Sequence, residues 1–128
     1  MGLAHFGGKT PDADSLMATP LYVPPELVRG EYHRFGLKTD LYSFGATLYE
    51  MFVGEAPLFS VDMDEVLHMQ LTEKPQPLCE RLGFFDADLS RFIDRLLAKD
   101  PDLRPSSWNE TAEFLRKIEL RTRAATFR

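Results

Sequence analysis

The stretch Lys38-Thr-Asp-Leu-Tyr-Ser-Phe-Gly-Ala-Thr-Leu-Tyr-Glu-Met-Phe-Val-Gly54 decides the fold. At helical spacing, Leu41, Phe44, Gly45, Leu48, Met51 and Phe52 fall on one face, while Tyr42, Ala46, Tyr49 and Val53 line most of the other. A surface helix needs a single apolar stripe, whereas a helix apolar on nearly every side is enclosed by protein or lipid. This one is too short and too often interrupted to span a bilayer. The residues therefore predict a helical domain built around a central buried helix. Thr39 is its expected N-cap, Asp40 lies in the first turn where a carboxylate complements the helix dipole, and Gly54 is the expected stop.

Downstream of this hub the chain predicts more helices. One runs from about Asp62 to Leu71, opened by Asp62 and Glu65 in near capping-box spacing, with Met63, Val66, Leu67 and Leu71 on one side. Residues 72–87 hold Pro75, Pro77 and Gly83 and read as a long loop. Leu89, Phe92, Ile93, Leu96 and Leu97 form the cleanest stripe of the chain, predicting a helix over about Asp88 to Lys99 that Asp100-Pro-Asp-Leu-Arg-Pro105 breaks. A last helix begins at the capping box Ser107-Trp-Asn-Glu110, with Trp108, Ala112, Leu115 and Ile118 expected to pack.

Upstream the pattern differs. Residues 7–18 are small and polar with no period and read as a loop. In Thr19-Pro-Leu-Tyr-Val-Pro-Pro-Glu26 three prolines permit only extended or turn backbone, with a short helical turn after Pro25. No period-2 run of useful length and no internal repeat occurs, so the expected fold class is mainly α.

Composition bounds the function. The 128 residues suffice for one domain; 44% hydrophobic and 27% charged residues mark an ordinary globular chain. A net charge of −5 argues against a nucleic-acid partner, and the locally basic end Arg116–Arg128 reads as a solvated helix terminus. Cys79 is the single cysteine, which excludes an internal disulfide or a thiolate metal cluster and fits a reducing, cytoplasmic setting. His5, His33 and His68 are scattered and form neither a metal set nor a base–nucleophile pair. Residues 2–8 lack the basic leader and apolar core of a signal peptide, and Phe6 stands where a myristoylation start needs Ser or Thr. No membrane partner is expected. Gly7-Gly-Lys-Thr10 lacks the first glycine and the preceding strand of a phosphate-binding loop.

The order of segments resembles the C-terminal half of the eukaryotic-type serine/threonine protein kinase domain, over residues 2 to about 118. Gly2-Leu-Ala is similar to the end of Asp-Phe-Gly-Leu-Ala, and Ala18-Thr-Pro-Leu-Tyr-Val-Pro-Pro-Glu26 to the Gly-Thr-Pro-x-Tyr-x-Ala-Pro-Glu that closes an activation segment. The Lys38–Met51 run resembles the helix at the centre of the helical lobe, and Lys99-Asp-Pro-Asp-Leu-Arg-Pro105 the late Asp-Pro-x-x-Arg-Pro element. The loops are similar in style to the bacterial branch. The resemblance implies a kinase C-lobe fragment: residues 1–26 as an activation-segment-like region, 27–123 as helical lobe and 124–128 as tail.

It also implies roles. Thr19, Pro20 and Tyr22 fall at the pocket beside the phosphorylated residue of a protein substrate. Glu26 and Arg104 form a partly buried ion pair in the family. Asp40 there also reaches the catalytic loop; in this chain it is expected to act mainly through the helix dipole. Thr10 and Ser15 are candidate phosphorylation positions, although no arginine of the His-Arg-Asp kind is present to receive a phosphate. The family uses ATP and Mg2+. Phosphoryl transfer needs a Gly-rich cover, a lysine–glutamate pair, a catalytic aspartate and asparagine, and a metal-binding aspartate. None of these motifs occurs in the 128 residues. The expected function is accordingly a partial kinase domain, inactive alone, such as the tail of a split or truncated gene whose partner is the nucleotide-binding half. The alternative is a pseudokinase-like interaction module. With the catalytic-loop region absent, exposed apolar surface and self-association are expected.

Overall fold

The computed structural model describes residues 20–126, which are mainly helical with no strand among them. Among the described residues six α-helices follow in order: α1 (Pro25–Val28), α2 (Leu37–Val53), α3 (Met63–Thr72), α4 (Leu78–Arg81), α5 (Ala87–Leu96) and α6 (Trp108–Thr126). Short 3-10 turns at Pro20–Tyr22, Tyr32–Arg34 and Pro101–Leu103 link them.

The hub helix α2 starts earlier than its sequence suggests. Gly36 is the N-cap, at φ 150°, and Thr39 sits inside the helix. From its third position the Thr39 hydroxyl accepts the Gly36 N–H at 3.2 Å, satisfying an otherwise orphaned donor. The helix ends at Gly54, whose φ of 88° puts it in the left-handed region that side-chain-bearing residues avoid, and its N–H returns to the Glu50 carbonyl at 2.7 Å.

Helix α5 packs along α2 and divides its apolar residues in two. On one side Tyr42, Ala46 and Tyr49 bury against Leu78, Ile93 and Leu97. On the other Leu41 buries against Phe92 and Leu96, with Phe44, Leu48 and Phe114 partly covered beside them. Gly45 lies between the two clusters. A Cβ at that position would meet Leu96 Cβ at 2.7 Å, so the bare glycine is what lets the helices approach.

Enclosure of α2 is not complete. Met51 and Phe52, expected on the buried face, are 74% and 44% exposed. They lie in the last turn, where Phe52 makes an edge-to-face contact with Phe85.

The remaining helices show how local chemistry sets their ends. Asp62 caps α3 by accepting the Asp64 N–H, but Glu65 accepts from the Ser60 hydroxyl and closes no capping box. The expected 72–87 loop contains α4, held by fully buried Leu78 and by the Cys79 N–H donating to Ser90 Oγ at 3.1 Å. Helix α5 is capped by Asp86, which accepts from the N–H groups of Asp88 and Leu89. It ends at Leu96, three residues short of the expected Lys99. In α6 the Ser107 hydroxyl accepts the Glu110 N–H at 3.0 Å, while the Glu110 carboxylate turns to Ser106. That helix packs through Thr111 and Phe114, the latter stacked on Phe92 with ring centroids 4.1 Å apart. Ala112 faces outward; Trp108, 40% exposed, touches Phe44 edge-on.

The basic C-terminal stretch is a solvated surface with internal pairing. Arg121 reaches Asp86 and Asp88, Arg116 reaches Glu113 and Arg123 reaches Glu119, all exposed. No described helix is long and apolar enough to cross a membrane.

Candidate functional site

Two prolines at 24 and 25 start α1, and proline at a first helical position costs nothing because its missing N–H had no partner to lose. The next residue, Glu26, is thereby turned inward and is 1% exposed. A lone buried carboxylate is untenable without compensation. Arg104, also 1% exposed, supplies it from the Pro101–Leu103 turn.

The contact is a two-pronged fork. Arg104 Nη1 donates to Glu26 Oε2 at 2.7 Å and Nη2 to Oε1 at 3.0 Å. The same guanidinium donates to the carbonyls of Ala98 (2.8 Å), Lys38 (2.8 Å) and Lys99 (3.4 Å). Its plane lies over the Tyr42 ring, 4.9 Å from the centroid, and the Thr39 hydroxyl donates to Glu26 Oε2 at 3.3 Å. Lys38 Nζ closes the arrangement by donating to the Arg104 carbonyl at 3.1 Å. One ion pair thus joins α1, the start of α2 and the end of α5. Burial pushes the Tyr42 phenol above the ordinary tyrosine range, with Arg104 opposing and Glu26 adding to that effect.

The Pro20–Tyr22 turn lies against the same helices. Ser43 Oγ donates to the Tyr22 carbonyl at 2.9 Å, and Gln70 Nε2 donates to the Pro20 and Leu21 carbonyls at 3.1 and 3.2 Å. Gln70 is 1% exposed, and its side-chain oxygen accepts from the Tyr42 hydroxyl. Tyr22 donates its hydroxyl to Glu50, and that bond, ahead of burial and the Glu50 charge, raises its pKa. The turn is therefore gripped on its carbonyl side by α2 and α3.

Of the positions singled out from sequence, the structure brings Pro20, Tyr22, Glu26 and Arg104 into one continuous network with α2. Asp40, at the fourth position of α2, is half-buried in its first turn. Thr10, Ser15 and Thr19 lie outside the described residues. Gln70 and Ser43 were not anticipated. Gln70 falls one turn after Val66 on the apolar side of α3, and a polar residue in that register is the available signal of a buried amide.

Among the described residues no group of three or more His, Cys, Asp or Glu side chains converges to hold a metal ion. Glu26, the buried carboxylate of the site, is already committed to Arg104.

Comparison with known proteins agrees with the geometry. The protein kinase domain model matches residues 1–116. The serine/threonine-protein kinase ATG1 of Debaryomyces hansenii is 38% identical over 110 residues, covering 82% of this chain and 12% of that protein. The serine/threonine-protein kinase ULK4 of Mus musculus is 38% identical over 91 residues, covering 69% of this chain and 7% of the relative. The serine/threonine-protein kinase UCN of Arabidopsis thaliana is 32% identical over 111 residues, covering 87% and 25%. The chain thus spans a quarter or less of the length of each of these relatives. With a family match over nearly its whole length and a helical fold organised by the Glu26–Arg104 fork, the chain belongs to the protein kinase domain family.

Proposed function

We propose that this chain forms the substrate-side helical part of a serine/threonine protein kinase domain and acts only when joined to a nucleotide-binding half that supplies ATP and Mg2+. The observation that carries the reading is the gripped Pro20–Tyr22 turn, anchored through Glu26 and Arg104 to the hub. A segment that must present a protein substrate to a phosphoryl donor needs rigid backbone, because transfer depends on positioning. Four elements converge to give that rigidity here. In this reading Thr19, Pro20 and Tyr22 shape the pocket beside the acceptor Ser or Thr, and Asp40 serves the first turn of α2.

The reading supports protein Ser/Thr as substrate class and a protein as partner. Calorimetry of the 128-residue chain with Mg2+ and ATP is expected to show no heat of binding; micromolar affinity would overturn the proposed division of labour. Co-expression with the nucleotide-binding half of a homologous kinase is expected to restore phosphorylation of a generic Ser/Thr protein substrate. A folded, stably associated pair with no transfer would instead favour a non-catalytic, pseudokinase-like interaction module.

A further inference from the structure

A second feature lies away from the substrate-side turn. Between the end of α5, the 73–77 segment and the Pro101–Leu103 turn is a cavity of about 520 Å3, with apolar walls from Pro75, Pro77, Leu97, Ala98 and Leu103. Lys99 lines it, and also lines a second cavity of about 450 Å3 on its other side with Arg29 and Arg34. Its ammonium is 3.5 Å from the Met69 carbonyl oxygen and 5.8 Å from the Tyr42 ring centroid. A half-buried lysine lining an apolar space of ligand size is an unusual arrangement.

We propose that Lys99 is a nucleophilic amine that takes acyl groups from thioesters, with the acyl chain lodging in the apolar cavity beside it. Lysine becomes a nucleophile when it is desolvated in an apolar pocket or set next to another cation, and both conditions hold here. Burial lowers its pKa most, the Arg104 and Arg29 guanidiniums lower it further, and Glu73 opposes them, leaving it at about 8. Asp94, Asp100 and Lys74 complete the charged lining, and the Lys99 ammonium lies near the ring of Tyr42, whose phenol burial keeps neutral. At pH 7.5 about one quarter of such amines are neutral, against about one in a thousand for an ordinary lysine.

The step balances without a further reactant. The neutral Nζ attacks the thioester carbonyl carbon, the C–N bond forms, and the C–S bond breaks. The thiolate leaves with the sulfur electron pair and takes up the proton released by nitrogen. The product amide is uncharged, so it suits this partly desolvated site better than the ammonium it replaces.

The test treats the full chain at pH 7.5 with acetyl and hexanoyl thioesters of N-acetylcysteamine and follows each lysine by peptide mass spectrometry. Lys99 is expected to be acylated about tenfold faster than the exposed Lys117, which lies outside the cavity, the lower intrinsic nucleophilicity of a weaker base offsetting part of its larger neutral fraction. Its advantage is expected to widen with the hexanoyl donor and to vanish above about pH 10. Leu103→Asp alters an exposed position on the cavity wall and is expected to slow Lys99 alone. Equal or slower labelling of Lys99 at pH 7.5 would overturn the proposal. Faster labelling without preference for the longer chain would overturn the role of the cavity.

Discussion

Exchanging Arg104 for lysine keeps the positive charge and removes the fork. In the structure the guanidinium makes five hydrogen bonds, two to Glu26 and one each to the carbonyls of Ala98, Lys38 and Lys99. A lysine ammonium concentrates its donors at one point and cannot meet both carboxylate oxygens and carbonyls on opposite sides of the site. Leaving two or more of these acceptors buried and unpaired costs about 1–3 kcal/mol each, so Arg104→Lys is expected to lose roughly 3 kcal/mol. Arg104→Met leaves the Glu26 charge with only the Thr39 hydroxyl and is expected to lose about 3–5 kcal/mol. Against a domain stability of about 5–15 kcal/mol, the second change brings a sizeable unfolded population within reach. Urea unfolding followed by far-ultraviolet circular dichroism measures both, and a cycle with Glu26→Gln isolates the pair. The cycle is expected to show coupling of about 2 kcal/mol or more, since Arg104→Met should harm the chain less once Glu26→Gln has removed the buried charge. Additive effects, or an Arg104→Lys cost below about 1 kcal/mol, would refute the argument that the fork organises the site.

Other changes probe separate parts of the molecule. Gly45→Ala forces a methyl against Leu96 Cβ and is expected to lower stability by about 1–3 kcal/mol in the same urea assay, although alanine is the better helix former. Gln70→Leu removes the donor to the Pro20 and Leu21 carbonyls and is expected to cost about 1–3 kcal/mol, with faster amide exchange at Val23, whose N–H bonds the Pro20 carbonyl, than at Ala46. Ser106 N–H and hydroxyl bonds, then Arg95, hold the Glu110 carboxyl at about 2, below its ordinary 4.5. A depressed folded-state pKa gives stability that is present above the unfolded value and lost as pH falls, so thermal melts should weaken between about pH 4.5 and 2 and Glu110→Gln should flatten that dependence. Lys99 gives a slope of the same sign at alkaline pH: between about 8 and its ordinary 10.5 the unfolded chain binds more protons, so stability should rise with pH above about 8, and Lys99→Met should abolish the rise.

The hub helix was legible because a long periodic run bounded by recognisable ends leaves little freedom of interpretation. Its exact start was less so. Thr39 has N-cap chemistry, but Gly36 adopts the backbone that no other nearby residue reaches, and Thr39 serves it from inside the helix. Periodicity told which face of α2 is apolar and not how far its partners extend, so Met51 and Phe52 were placed inside when the covering ends a turn before them. Helix α4 has four residues among prolines, too few to show a period, and its burial depends on where α2 and α5 already lie. The same applies to Ala112: one residue of helical phase separates it from Thr111, which is the buried one. Glu26 and Arg104 were readable only as parts of motifs, since nothing local to either residue announces a partner so distant in the chain. Gln70 carried a faint local sign, an amide in a core register, visible once α3 is known to face the Pro20–Tyr22 turn.

The separation of 78 residues between Glu26 and Arg104 has a consequence for the birth of the molecule. Synthesis proceeds from the N-terminus, so the carboxylate appears long before its guanidinium and must wait in water. Closing a loop of that size carries an entropic cost of about 4 kcal/mol, which the packing of α5 on α2 shares with the fork. The network around the Pro20–Tyr22 turn should therefore be complete only once Arg104 has arrived. Any nascent chain stopped short of that residue would own a hub helix and a carboxylate with no guanidinium to answer it.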